Sequence, residues 1–172
     1  MRVFTIGHGR RPAEELVACL QGAGVGALVD IRRYPGSRRN PQFNKEALAS
    51  TLAVTGIAYR HAVELGGRRS GEPGEERFMC IRTAAFRSYA ARMSVPEWQE
   101  ALNRAVEERA PCFMCAETVP WRCHRLLVSD LLGARGHEVV HLLRPGEAQK
   151  HRLSDRAEAR HGKLYLCGEL VA

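Results

Sequence analysis

The chain has 172 residues, of which 45% are hydrophobic and 26% charged, with 16 Gly and 8 Pro. That is the size and composition of one globular domain, and it excludes a disordered chain, a collagen and a coiled coil. The formal charge is +7, from 26 Lys+Arg against 19 Asp+Glu, and no window approaches the ~18 consecutive apolar residues of a membrane span.

Short apolar runs alternate with helical patterns along the chain. Val3–Ile6 reads as a strand. Pro12, followed by Glu14 and Glu15, suits a helix start; Leu16, Val17 and Leu20 recur at helical spacing, and Gly22 and Gly24 end the helix. Ala27–Ile31 is a second strand, Asn44 caps an expected helix over Lys45–Val54, and Ile57–Arg60 is a third strand. Residues 64–77 form a Gly-, Pro- and charge-rich loop. Helices are expected over Cys80–Met93 and Glu97–Glu108, a strand over Pro111–Met114, a helix over Arg122–Leu132, a strand over Val139–Leu142, and a late strand at Leu164–Cys167. Strands alternating with helices predict a single three-layer α/β domain over residues 1–172, its mostly parallel sheet flanked by helices.

Sheets of that kind bind ligands at the carboxyl ends of their strands. Those ends carry Gly7-His8-Gly9-Arg10-Arg11, then Asp30 to Arg39, then Cys115-Ala116-Glu117 and Arg122-Cys123-His124-Arg125. The opposite ends, near Gly24–Gly26 and Ala110, are almost bare of such groups. Polar loops are common, but this clustering on one edge predicts a site. Charge is also uneven. Residues 1–69 hold ten arginines and Lys45 against five acids, so nearly all of the +7 lies there. Much of the arginine excess over three lysines reads as genome bias; its concentration in the first 69 residues reads as a wall for an anion.

Within that edge, Arg32, Ser37, Arg38 and Arg125 are candidate phosphate ligands. Glu117 and Asp30 are candidate acid–base groups, with an Asp30–Arg pair that locks the loop as the structural alternative. His8 and His124 are candidates to position or polarise a substrate. The other five histidines read as structural or solvated. Cys115 and Cys123 are placed in the site, and the six cysteines read as reduced thiols, with Cys19, Cys80 and Cys112 as small buried hydrophobes. A phosphatase-like cradle fails on spacing, since six residues separate Cys115 from Arg122. A zinc site from Cys112, Cys115, Cys123 and His124 is disfavoured, because Cys112 and Cys115 fall on opposite faces of one strand. No metal is therefore expected. Neither a Gly-x-Gly-x-x-Gly nor a Walker loop is present, and no organic cofactor is expected.

The same residues carry a likeness. Thr5-Ile6-Gly7-His8, Val29-Asp30-Ile31-Arg32 with Pro35, Ser37, Arg38, Pro41 and Phe43, Gly56-Ile57-Ala58-Tyr59, Leu65-Gly66-Gly67-Arg68, Cys115-Ala116-Glu117 and Cys123-His124-Arg125 stand in one order. In these motifs, over about residues 1–145, the chain resembles the bacterial and archaeal domain-of-unknown-function family 488, leaving residues 146–172 as a C-terminal extension. The resemblance implies a compact α/β fold with its motifs gathered in one pocket, and it brings no reaction with it. One departure is Gly9, where the family usually has Ser. Residue chemistry sets the functional expectation: a hydrolase or group transferase acting on a phosphate-bearing substrate, a nucleotide or nucleic acid. The alternatives are a non-catalytic nucleic-acid or anion-binding module and a thiol or zinc protein. The N-terminus has no long apolar stretch and no small-residue cleavage site, so the sequence reads as cytoplasmic.

Overall fold

Strand alternation sets the architecture. In the computed structural model, which describes residues 1–172, β1 (Arg2–Gly7), β2 (Ala27–Asp30), β3 (Ala58–His61), β4 (Pro111–Cys115) and β5 (Glu138–Arg144) pair in parallel. An antiparallel β6 (Glu147–Lys150) closes one edge, giving the order β3-β2-β4-β1-β5-β6. Central β4 shows why two helical layers are needed. Its Cys112 and Met114 enter one apolar cluster and its Phe113 and Cys115 the other. The first cluster lies under α1 (Ala13–Gly22) and α2 (Lys45–Ala53), with Leu16, Leu20, Leu48 and Leu52 buried. The second lies under α3 (Ala84–Met93), α4 (Pro96–Val106) and α5 (Arg125–Ala134), with Trp98, Leu102, Leu127 and Leu131 buried. The chain is therefore a three-layer α/β domain with a mostly parallel sheet.

Several boundaries shift for local reasons. Pro12 stands at the N-cap of α1 with Glu14 and Glu15 in the first turn, and Gly24 (φ 70°) takes the left-handed turn beyond it. Asn44 occupies the N-cap of α2 but caps nothing; its Oδ1 instead accepts the Ser37 N–H at 2.6 Å. The helix expected from Cys80 begins at Ala84, after a 3-10 turn over Glu75–Phe78. The helix expected from Arg122 begins at Arg125. Pro120–Arg122 forms a 3-10 turn, and Cys123 is extended (φ −132°, ψ 151°).

The C-terminal extension folds onto the domain. β7 (Ala157–Arg160), β8 (Lys163–Leu166) and β9 (Glu169–Leu170) make a separate antiparallel sheet, whose Leu164 and Leu166 join Val171 in the α5 cluster. These strands, like β6, are short and largely exposed, so only β8 has an apolar pattern. Buried Asp130 of α5 accepts hydrogen bonds from Ser154 N–H at 2.9 Å and Ser154 Oγ at 2.7 Å, and it lies 2.9 Å from His151 Nε2. From His151 the chain of contacts runs to His141 (3.0 Å) and on to Thr5 Oγ1 (2.7 Å).

Not all cysteines are reduced thiols. Cys80 and Cys167 form a disulfide across 87 residues, their Cα atoms 5.7 Å apart, well inside bridging range. Cys80 is exposed rather than a buried hydrophobe. Cys19 and Cys112 are buried and free. The bridge ties the approach to α3 to the β8–β9 turn. Closing a loop of this length constrains the unfolded chain by about 4.6 kcal/mol in the chain-entropy account. Thermal unfolding with and without dithiothreitol should therefore show a lower Tm on reduction, and Cys80→Ser should reproduce it. An unchanged Tm would show that the bridge holds nothing.

Candidate functional site

The polar strand ends divide by side-chain parity into two assemblies. On the α1–α2 side lies a locked knot. Arg32 meets Asp30 through Nε to Oδ1 (2.8 Å) and Nη2 to Oδ2 (2.6 Å), and it donates to the Phe43 carbonyl at 2.7 Å. Asp30 also accepts from Arg32 N–H at 3.1 Å and from the Tyr59 hydroxyl at 2.7 Å. The carboxylate is fully buried. Burial, then the charge and hydrogen bond of Asp30, push the Tyr59 hydroxyl well up. His8 is stacked on Phe43 with ring centres 4.5 Å apart, its Nε2 3.2 Å from Arg32 Nη1. Burial, helped by Arg32, lowers its pKa to about 4, so the ring stays neutral.

Across the sheet, a cavity of about 220 Å³ opens at the ends of β2 and β4. Its floor is Cys115, Cys123 and His124, with Sγ, Sγ and Nδ1 within 4.8 Å of one another. Nδ1 lies 3.8 Å from Cys115 Sγ and 3.7 Å from Cys123 Sγ, while Nε2 lies 3.2 Å from the Ile31 carbonyl. A carbonyl only accepts, so Nε2 carries a proton and Nδ1 is the ring atom turned toward the sulfurs. Tyr89 covers one side of the imidazole (centroids 4.8 Å apart) and Gly67 the other. A Cβ on Gly67 would stand 2.5 Å from Nδ1, so only glycine fits there. The nearness of the two thiols, with burial adding to it for Cys115, holds Cys115 above the usual thiol range and Cys123 below it. These three residues are the group in the fold that could hold a metal; Cys112 faces the opposite core and takes no part.

The walls are Arg32, Arg33, Tyr34, Arg68, Phe86 and Arg122, with Glu117 at the mouth. Arg33 donates to the Arg68 carbonyl at 3.2 Å and lies over the Tyr34 ring. Arg68 is held at φ 56°, a left-handed conformation that costs a non-glycine residue free energy and is concentrated at functional sites. Arg33, Arg68, Arg122 and Glu117 form no ion pair within the protein. A larger depression of about 450 Å³ lies against α1 and the outer strands, but its Arg2 and Lys150 are already paired with Glu138.

The structure thus gathers Cys115, Glu117, Cys123 and His124 and separates them from other residues expected beside them. Asp30 has no free carboxylate oxygen to serve as a base, and Arg32 is spent on Asp30. Arg125 is buried, its guanidinium donating to Thr5 Oγ1 and to the Glu117 and Thr118 carbonyls; it holds the loop rather than an anion. Ser37 Oγ accepts the Asn40 N–H at 3.1 Å, closing a turn, and exposed Arg38 stands outside the cavity. Sequence reasoning placed Arg33 only within the general arginine wall and gave no role to Arg68, Tyr34, Phe86, Tyr89 or Gly67. The Leu65-Gly66-Gly67-Arg68 run was the available signal for two of them. Gly9 (φ 55°) has its N–H on the Ala116 carbonyl at 2.9 Å, and the Thr118 hydroxyl fills the space a side chain there would need.

The fold and cavity define a three-layer α/β domain with an open pocket at the carboxyl ends of its parallel strands. The chain belongs to the family described as Domain of unknown function DUF488, whose model matches residues 12–132. The match takes in the Asp30–Arg38, Leu65–Arg68 and Cys115–Arg125 motifs and leaves Thr5–His8 outside it. Comparisons with curated proteins and with solved structures return no match.

Two outcomes follow for the knot. Asp30→Asn leaves the buried Arg32 without its counter-charge, and should cost about 3–5 kcal/mol in denaturant unfolding. A catalytic role alone would leave stability unchanged. His8 and His141 are both lowered from 6.5 to about 4, chiefly by burial. Between those values the unfolded chain binds protons that the native chain refuses, so stability is full above pH 6.5 and falls as pH drops toward 4. The loss is of order 3 kcal/mol for each ring, and His8→Phe should remove part of this slope in unfolding curves taken across that range.

Proposed function

We propose that the protein is an enzyme, a hydrolase or group transferase, acting on a small phosphate-bearing molecule in the cavity at the ends of β2 and β4. The observation that carries this reading is a set of guanidinium groups without carboxylate partners around one unpaired carboxylate. Arg33, Arg68 and Arg122 line the cavity free of ion pairs, and three forks on one wall suit a phosphate or pyrophosphate. Glu117 stands among them, where it would weaken anion binding by repulsion; a pure binding site gains nothing from it. Placed at the mouth, it is suited to moving a proton to or from the reacting group.

The volume, about 220 Å³, fits a mononucleotide fragment or smaller ester and not a duplex. The rings of Tyr34 and Phe86 offer flat apolar faces for a base or sugar. The positive N-terminal half supports this as the field that draws the anion to the pocket.

A panel of nucleotides and phosphate esters tests the reading. Glu117→Gln should lower kcat by about 10²–10⁴-fold with the fold intact by circular dichroism. Arg33→Gln and Arg68→Gln should chiefly raise KM. If Glu117→Gln turns over every accepted substrate at the parent rate, the carboxylate has no part in the chemistry and the reading fails.

A further inference from the structure

We propose that Cys115, Cys123 and His124 bind one zinc ion through Sγ, Sγ and Nδ1, leaving the fourth tetrahedral position open to the cavity. The donor set is the first reason: two thiol sulfurs and one imidazole nitrogen converge at one point, a soft S₂N set that selects zinc over magnesium or calcium. Spacing is the second. Zinc bonds of ~2.3 Å to sulfur and ~2.0–2.1 Å to nitrogen, at tetrahedral angles, put the donor atoms ~3.6–3.8 Å apart. Nδ1 is 3.8 and 3.7 Å from the two sulfurs, long for hydrogen bonds and right for two edges of a coordination tetrahedron; the third edge, between sulfurs within 4.8 Å of each other, closes as both thiolates turn onto the ion.

The surroundings prepare the donors. A metal-ligating histidine characteristically donates its second N–H to a carbonyl; His124 Nε2 does this to Ile31, which turns the lone pair of Nδ1 inward. Tyr89 and Gly67 clamp the ring from two sides. The Arg125 backbone N–H points at Cys123 Sγ at 3.5 Å and favours its thiolate form. The extended break at Cys123 between the 3-10 turn and α5 is what turns Cys123 and His124 to the same point. The pairing weighed from sequence, Cys112 with Cys115, would have needed both faces of β4. Of the four residues weighed, Cys112 falls away and Cys115, Cys123 and His124 remain.

Three protein ligands with one open position is the arrangement of catalytic rather than structural zinc. The open side faces the cavity bounded by Arg33, Arg68 and Glu117, so an anion or water would complete the sphere. The site stands independently of the phosphate reading.

Protein purified without chelator and analysed by inductively coupled plasma mass spectrometry should hold about one zinc per chain. Stripped and reduced protein should rebind Zn²⁺ alone. Cys115→Ser and His124→Ala should each weaken rebinding by about 100-fold or more, whereas Cys112→Ser should leave it unchanged. Should a ligand variant fail to fold, Co²⁺ in the parent protein gives a second readout: thiolate-to-cobalt charge transfer, intense tetrahedral visible bands, and a shift of those bands on adding azide. Failure of the reduced, folded protein to bind Zn²⁺, a cobalt spectrum without thiolate bands, or undiminished binding by His124→Ala each overturns the site. Stoichiometric zinc in a protein inert toward every phosphate ester would keep the site and remove the phosphate reading.

Discussion

The buried pairing of Asp30 with Arg32 is the constraint on which the rest of the site depends. Two charges withdrawn from water are tolerable only when every lone pair and proton is matched, and here they are matched by groups from four segments. Tyr59 comes from β3, the Phe43 carbonyl from the turn before α2, His8 from just past the end of β1, and the Arg32 N–H from the loop that follows β2. The His61 ring adds a contact to the Arg32 carbonyl at 2.8 Å. Such a pair adds little net stability over an apolar substitute, but it fixes the course of the chain just past β2. The next carbonyl back, that of Ile31, then stands where His124 needs it. An ion pair on one side of the sheet thereby orients an imidazole on the other.

Parity explains why one polar edge gives two different chemistries. Successive strand residues face opposite layers, so Asp30 and Ile31, or Met114 and Cys115, divide between the cores. The α1–α2 side receives the groups that neutralise one another. The opposite side receives thiols, an imidazole and arginines without partners, where there is room for a ligand. Rigidity and reactivity are kept apart by a single sheet's thickness.

Much of the fold was legible because its signals are local. Strands β1 to β5 are apolar runs, and the five helices carry periodic patterns bounded by Pro, Gly or acids. β6, β7 and β9 were not, since they are short, polar and paired by hairpin turns rather than by an apolar face. For the site, the sequence pointed to the edge of the sheet where the cavity opens and to Cys115, Glu117, Cys123 and His124 as neighbours. It did not separate free groups from satisfied ones. Whether Arg32 or Arg33 is available depends on which side of β2 each leaves, and Arg125 is spent on carbonyls of its own loop. Arg68 and Gly67 reach the cavity through a loop whose path no periodicity encodes. The Cys80–Cys167 bridge joins positions 87 residues apart, a proximity that arises only once the extension packs on α5.

Gly9 and Thr118 share one volume. A Cβ at position 9 would stand 2.3 Å from the Thr118 hydroxyl, and Gly9 is held at φ 55°. Any side chain at 9 therefore obliges Thr118 to turn its hydroxyl away, so the loop after β1 and the loop after β4 gauge each other's size at a single point beside Ala116 and Glu117. The smallest residue in the first loop is thereby what sets the side-chain orientation of the second.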